Sequence, residues 1–204
     1  MFILYAIPIG LLAGALLGGR VENLGEIRFR LAPLAIVVLL VQVVLFSPLA
    51  DGLSQDAGRA VYVVSTALVV AVVLANLRLT GVPIVVLGAV ANLAAIVANG
   101  GAMPASVGAL AALGMGVGGN TNSIVVAHPA LEPLTDIFAL PAALPFANVF
   151  SVGDVVIGVG IALVIAAAMR RRADGVADGA ADGAANVGSK AGGKAGANEA
   201  QPPS

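Results

Sequence analysis

The polar residues of this chain that could take part in chemistry gather in one stretch. Between Asn99 and Asp154 stand Asn99, Asn120, Asn122, Ser123, His128, Glu132, Asp136, Asn148, Ser151 and Asp154, with no Lys or Arg among them. Amides and hydroxyls both donate and accept hydrogen bonds, so Asn99, Asn120, Asn122, Asn148 and Ser151 form a candidate ligand-binding set. Asp154 stands at the mouth of an apolar run in "FANVFSVGDVVIGVGI", where an ionised carboxylate is costly unless compensated. "SVGD" supplies a compensation, because Ser-x-x-Asp ahead of an apolar run is a capping pattern. Ser151 at the N-cap and Asp154 at N3 would satisfy two backbone donors, and the negative charge suits the start of a helix. His128 is the sole histidine, without partners at ligand spacing, so no metal and no cofactor is expected. The chain has no cysteine, which removes thiol catalysis, disulfides and Cys-based metal sites.

The elements that must hold these residues are apolar throughout. Hydrophobic residues make up 59% of the chain and charged ones 10%, against about half and about a quarter in soluble domains. They fall in unbroken runs near the roughly 20 residues that a helix needs to cross a bilayer. Five spans are predicted: residues 2–18, 31–50, 60–77, 82–98 and 151–169. The fold class expected is therefore all-α, a polytopic transmembrane helical bundle over residues 1–170. The first run lacks a basic leader and a small-residue cleavage pattern, and reads as a membrane helix rather than a signal peptide. Pro8 predicts a kink near its outer end.

The basic residues set the threading. The first loop holds Arg20, Arg28 and Arg30, the third turn lies beside Arg78, and Arg170, Arg171 and Arg172 follow the last run. Lys and Arg stay on the cytoplasmic side. The N-terminus and residues 99–150 are then outside and the C-terminus inside. The expected location is the cell membrane, with membrane lipids and a further membrane protein as partners and no nucleic acid. Gln42 and Asn92, inside the spans, are expected to hydrogen-bond between helices. Small residues at four-residue steps (Ala6, Gly10, Gly14 and Gly18; Gly158, Ala162 and Ala166) predict close helix packing.

Three further segments carry expectations. "GGRVENLGEIRFRLAP" reads as a short interfacial helix, with Leu24, Ile27 and Leu31 on one face and Glu22 and Glu26 set to pair with Arg30. The run 105–117 is too short to span and too apolar for water, and predicts a re-entrant or interfacial helix broken by Gly114, Gly116, Gly118 and Gly119. Residues 171–204, Ala/Gly-rich with Asp174, Asp178 and Asp182, read as a disordered cytoplasmic tail.

Three stretches in order, "MFILYAIPIGLLAGALLGGRVENLGEIRFRLAPLAIVVLLVQVVLF", "NGGAMP" and "NVFSVGDVVIGVGI", resemble a family of small bacterial membrane proteins known as domain of unknown function 5317. The resemblance covers about residues 1–170 and implies no activity. A shorter likeness concerns Phe150, Ser151, Gly153, Asp154, Ile157 and Gly160. These resemble the closing motif of the lipoprotein signal peptidases, Phe-Asn-x-Ala-Asp-x-x-Ile-x-x-Gly. That likeness implies a membrane aspartyl hydrolase with Asp136 and Asp154 as a catalytic pair, since two carboxylates sharing a proton can activate water and protonate a leaving amine. The departures are that Pro133 and Ile137 flank Asp136 where the family has Asn and Arg, and Ser151 replaces an Asn. The first helix would also enter from the opposite side. The preferred expectation is a non-enzymatic membrane protein that binds a partner, lipid or small ligand in an outer cavity. The hydrolase is the alternative.

Overall fold

A computed structural model describes residues 2–114 and 123–170. Six helices follow in chain order: α1 (Ala6–Leu16), α2 (Ala32–Leu45), α3 (Gln55–Leu74), α4 (Val82–Ala98), α5 (Val107–Ala112) and α6 (Val152–Arg170). Four two-residue strands complete the set: β1 (Met103–Pro104), β2 (Ser123–Ile124), β3 (Phe138–Ala139) and β4 (Val149–Phe150). The all-α expectation thus becomes a mostly helical fold with two small strand pairs. The tail 171–204, together with Asn120, Asn122, Gly116, Gly118 and Gly119, lies outside the described residues.

Local chemistry sets the helix ends. α3 begins five residues before the run predicted from residue 60, because Ser54 accepts a hydrogen bond from the Ala57 N–H (3.3 Å) and Asp56 lies in the first turn. α4 has the predicted bounds. It follows Gly81 at φ 92° with Pro83 in its first turn, and it closes with Gly100 and Gly101 at φ 71° and 86°. There the Gly101 N–H reaches the Ile96 carbonyl at 2.9 Å, a left-handed C-terminal turn open to glycine. α2 stops at Leu45, short of the predicted residue 50, and a separate 3-10 turn covers Pro48–Ala50. Pro8 falls in the first turn of α1, where it removes no helical bond, and the chain before it winds as a 3-10 turn over Phe2–Tyr5. α3 and α6 are long and apolar enough to cross a membrane; Phe2–Leu16, α2 and α4 are shorter apolar helices.

Close backbone approach at glycine organises the packing. α6 lies between α1 and α4. A Cβ at Gly10 would stand 2.9 Å from the Ala162 carbonyl oxygen, and Gly14 and Gly19 rest on Met169. On the other side a Cβ at Gly88 would stand 2.5 Å from the Gly153 carbonyl oxygen, and one at Gly160 2.7 Å from the Val85 nitrogen. The stripes of Ala6, Gly10 and Gly14 and of Gly158, Ala162 and Ala166 therefore meet, as expected, whereas Gly18 ends α1 at φ 78° and touches nothing. α3 packs on α4 and α2 on α3. Gln42 bridges that last pair by donating to Ser65 Oγ (3.1 Å) and Thr66 Oγ1 (3.2 Å).

The segment between α4 and α6 folds over the helix ends. β1 pairs in parallel with β2, β3 pairs antiparallel with β4, and Ala105 bridges Asp136. Of the run 105–117, the described part forms only the six residues of α5, capped by Ser106 and closed at Gly114 (φ 66°). Its Ala109 and Leu110 are buried with Ala105 and Val149 in a small apolar core of their own. The first loop forms a 3-10 turn over Val21–Glu26 in place of the amphipathic helix, and Glu22 pairs with Arg20 at 3.7 Å on the exposed surface.

A methyl group at the α4–α6 seam should be felt strongly. Gly88→Ala would press on backbone atoms of Gly153 and Ile157, and overpacking of this kind costs about 1–3 kcal/mol. Gly108→Ala, inside α5 with nothing within 4 Å of the new methyl, should gain about 0.5–1 kcal/mol. Apparent thermal midpoints of the two purified variants in detergent should move in opposite directions.

Candidate functional site

The polar centre of the fold is where α4 meets the first turn of α6. Ser151 precedes α6, and its Oγ accepts from the Asp154 N–H at 3.0 Å while Asp154 Oδ2 accepts from the Ser151 N–H at 3.1 Å. That is the complete reciprocal cap that the sequence pattern predicts. Asn92, on α4, joins it from across the seam. Its Nδ2 donates to Asp154 Oδ1 at 2.8 Å, and its Oδ1 accepts from the Ser151 hydroxyl at 2.9 Å. Both carboxylate oxygens of Asp154 are thereby engaged, and Ser151 is fully buried at 0% exposure. Neutral donors compensate the charge, together with the positive end of α6.

Asn92 reaches this position because Gly153 carries no side chain. A Cβ at Gly153 would overlap the Asn92 Oδ1 and stand 2.9 Å from the Gly88 carbonyl oxygen. The glycines on the two helices thus set the spacing, and the amide fills what the spacing leaves. Chemically the arrangement is a lock. Its nucleophile-type oxygen is sealed, its acid is fully hydrogen-bonded, and neither His nor Lys stands among its hydrogen-bonding partners.

The other predicted site residues are distributed. Asn99, at the end of α4, donates to the carbonyls of Ala95 and Ala130 (2.8 Å each) and accepts from the Ala130 N–H (2.9 Å). It therefore pins the segment after α4 to that helix through backbone atoms. Asn148 donates to the Val149 carbonyl at 2.7 Å, while its Oδ1 is buried with no hydrogen-bond partner among the described residues. Asp136 is buried (4% exposed), with its backbone N–H on the Pro104 carbonyl (2.9 Å) and its carbonyl accepting from the Ser106 N–H (3.0 Å). The side-chain bonds of Asp154 run to Asn92 and Ser151. His128 is exposed.

Two further amides do similar work at the opposite end of the bundle. Asn23 donates to the Met169 carbonyl at 2.6 Å, beside the Arg20 N–H on the same oxygen at 2.9 Å. Asn76 accepts from the Arg30 N–H (2.7 Å) and donates to the Arg30 and Val72 carbonyls (2.9 and 2.8 Å). Both side chains are buried. For Asn76 the available signal is an Asn two residues past the end of α3, where unpaired helix carbonyls need donors; Asn23, in the first loop, carries no such signal.

The chain matches the model of a family of unknown function (DUF5317) over residues 26–166, and it belongs to that family. The match takes in "NGGAMP" and "NVFSVGDVVIGVGI" and begins after α1, which lies outside it. No curated protein and no solved structure matches the chain. The short likeness around Phe150 and Gly160 to the signal peptidases finds no support in these comparisons.

The lock should behave as one unit. Ser151→Ala leaves the Asp154 N–H and the Asn92 Oδ1 without their partner, and an unmatched buried group costs about 1–3 kcal/mol. Asn92→Ala and Asp154→Ala together should cost clearly less than the sum of the two single changes. A double-mutant cycle on detergent unfolding reads the coupling, and strict additivity would show that the contact carries no weight.

Proposed function

We propose that this family member is a multi-pass integral membrane protein with five spans, N-terminus outside and C-terminus inside. Its work is the non-enzymatic binding of a lipid, small ligand or partner at the outer face. The observation that supports membrane placement is an inverted distribution of side chains. Leu16 is 79% exposed and Leu87 65%, and Leu12, Ile36, Leu40, Val43, Val64 and Val159 are all more than half exposed. Meanwhile Asn23, Ser65, Asn76, Asp136 and Ser151 are buried. Apolar surface on α1, α2, α3, α4 and α6 at once is far more than a water-facing monomer leaves uncovered. Hydrocarbon around the bundle and amides within it reverse the cost of both groups.

In this reading the short helices are extended by their flanks. α2, at 14 residues, is roughly 21 Å long at about 1.5 Å per residue, below a hydrocarbon thickness of roughly 30 Å. The 3-10 turn Pro48–Ala50 and local thinning of the bilayer make up the difference. The segment 99–150 then forms a cover at the outer face. Tyr5 holds it by donating to the Pro145 carbonyl (2.7 Å), and Phe2 does so by stacking on Phe150 (4.3 Å), a stack that Phe138 extends within the segment (5.5 Å). The proposed ligand-binding residues are Asn99, Asn120, Asn122 and Asn148, with Ser151, sealed in the cap, fixing the helix end behind them. The buried Asn148 Oδ1 supports ligand binding, because an acceptor out of water without a donor carries a penalty that a ligand donor would remove.

The absence of native cysteine makes the threading directly testable. Single cysteines at Gly52 and Ala142 should react with a membrane-impermeant maleimide on intact cells. Those at Gly25 and Thr80 should react only after permeabilisation. Labelling of all four positions on intact cells, or the reverse pattern, would overturn the topology.

A further inference from the structure

A cleft of about 380 Å³ opens between the outer ends of α3 and α4. Arg59, Ala60, Val63 and Val64 line it from α3, and Val97, Gly100 and Gly101 from α4 and its closing turn. The chemistry is divided along its length. Val63 and Val64 lie one turn further along α3 from Arg59, and Val64 and Val97 are more than half exposed. The apolar part therefore opens sideways on the face that the proposed membrane would cover, and the guanidinium-bearing residue stands at its outer end. The glycine pair keeps the cleft from filling. Gly100 has open space where a side chain would stand, and Gly101 lies so close that a Cβ would come within 2.9 Å of the Arg59 Cβ.

Arg59 is unusual for its position. From residue 31 to residue 169 the chain has only Arg59 and Arg78 as Lys or Arg, and Arg78 belongs to the inner turn. Arg59 is then the one basic residue of the outer loops, where topology favours none. No ion pair to it occurs among the described residues, where the recorded bridge is Arg20 with Glu22. Asp51 and Asp56, the acids nearest to it in sequence, are both exposed.

A planar cation with no ion pair at the mouth of an apolar, laterally open cleft is complementary to one kind of molecule. We infer that this cleft holds an anionic phospholipid of the outer leaflet, with its phosphate on Arg59 and an acyl chain along Val63, Val64 and Val97. Guanidinium groups pair with phosphate through parallel N–H donors, and the valines give the chain apolar surface that water would otherwise touch. The inference rests on the membrane reading above, and it adds a site that the segment 99–150 does not contain.

The experiment is native mass spectrometry of the full chain, equilibrated with equal amounts of phosphatidylglycerol and phosphatidylcholine and released from detergent. The unchanged protein should retain one phosphatidylglycerol in preference to phosphatidylcholine. Arg59→Gln should lower that retention about tenfold, as loss of a charge-assisted pair implies. Val97→Trp, at an exposed wall position, should fill the cleft and lower retention of the same lipid with the charge intact. Equal retention of the two lipids, or retention undiminished in both variants, overturns the site. The thiol-labelling pattern is independent of Arg59, so a failure here leaves the membrane threading standing, and a failed threading is seen separately.

Discussion

The structure depends on the approach of α6 to α4. Gly88 and Gly153 let two backbones come so near that a single methyl would collide, and only at that distance does the short amide of Asn92 reach the cap of α6. The dependence runs in both directions. In the proposed membrane, close packing between apolar helices gains little from the hydrophobic effect, so the polar lock supplies a specific attraction. The lock in turn needs the spacing that glycine allows. α1 then seats on the opposite face of α6 through Gly10 and Gly14, which makes α6 the element that both sides of the bundle share.

The same device recurs with other partners. Asn99, Asn76 and Asn23 each present an amide to the backbone of a distant segment, and each sits near a helix end where carbonyls lack partners. A neutral amide matches a backbone N–H and C=O at once, as Asn99 does with Ala130 and Asn76 with Arg30. Charged residues could form these links only at a far greater desolvation cost. A chain with 10% charged residues is thus held at both ends by asparagine. The segment between α4 and α6 depends on this most, since its strands are only two residues long.

How much of this was legible follows from what is encoded locally. The apolar runs, the Ser151–Asp154 cap and the interhelical role of Gln42 and Asn92 are written in neighbouring residues or in composition, and each appears in the structure. α3 starts ahead of its apolar run because Ser54 caps a polar first turn that hydropathy alone reads as loop. α2 ends early for the opposite reason, since Pro48–Ala50 is apolar but no longer helical in the α sense. The folding of 99–150 was least legible. Its bridge from Ala105 to Asp136 and its pairs from β1 to β2 and β3 to β4 join residues distant in sequence, and two-residue strands leave no periodicity. Roles for Asn23 and Asn76 depended on which backbone would come within reach, which no local pattern states.

Donor counting explains why position 154 carries an acid when a cap could be neutral. The cluster contains the Ser151 N–H, the Ser151 hydroxyl, the Asp154 N–H and the Asn92 amide as donors. Asp154 accepts on both oxygens, which frees Asn92 Oδ1 to take the Ser151 hydroxyl. With an amide in place of the carboxylate, one of those oxygens becomes an NH₂ that faces the Asn92 NH₂. Turning the Asn92 amide over relieves that clash but points its NH₂ at the buried Ser151, whose hydroxyl proton then has no acceptor within the cluster. Each neutral arrangement leaves at least one donor of the cluster unmatched, and the carboxylate gives each of the four groups an acceptor. The charge that looked misplaced in an apolar stretch is what the count of donors requires.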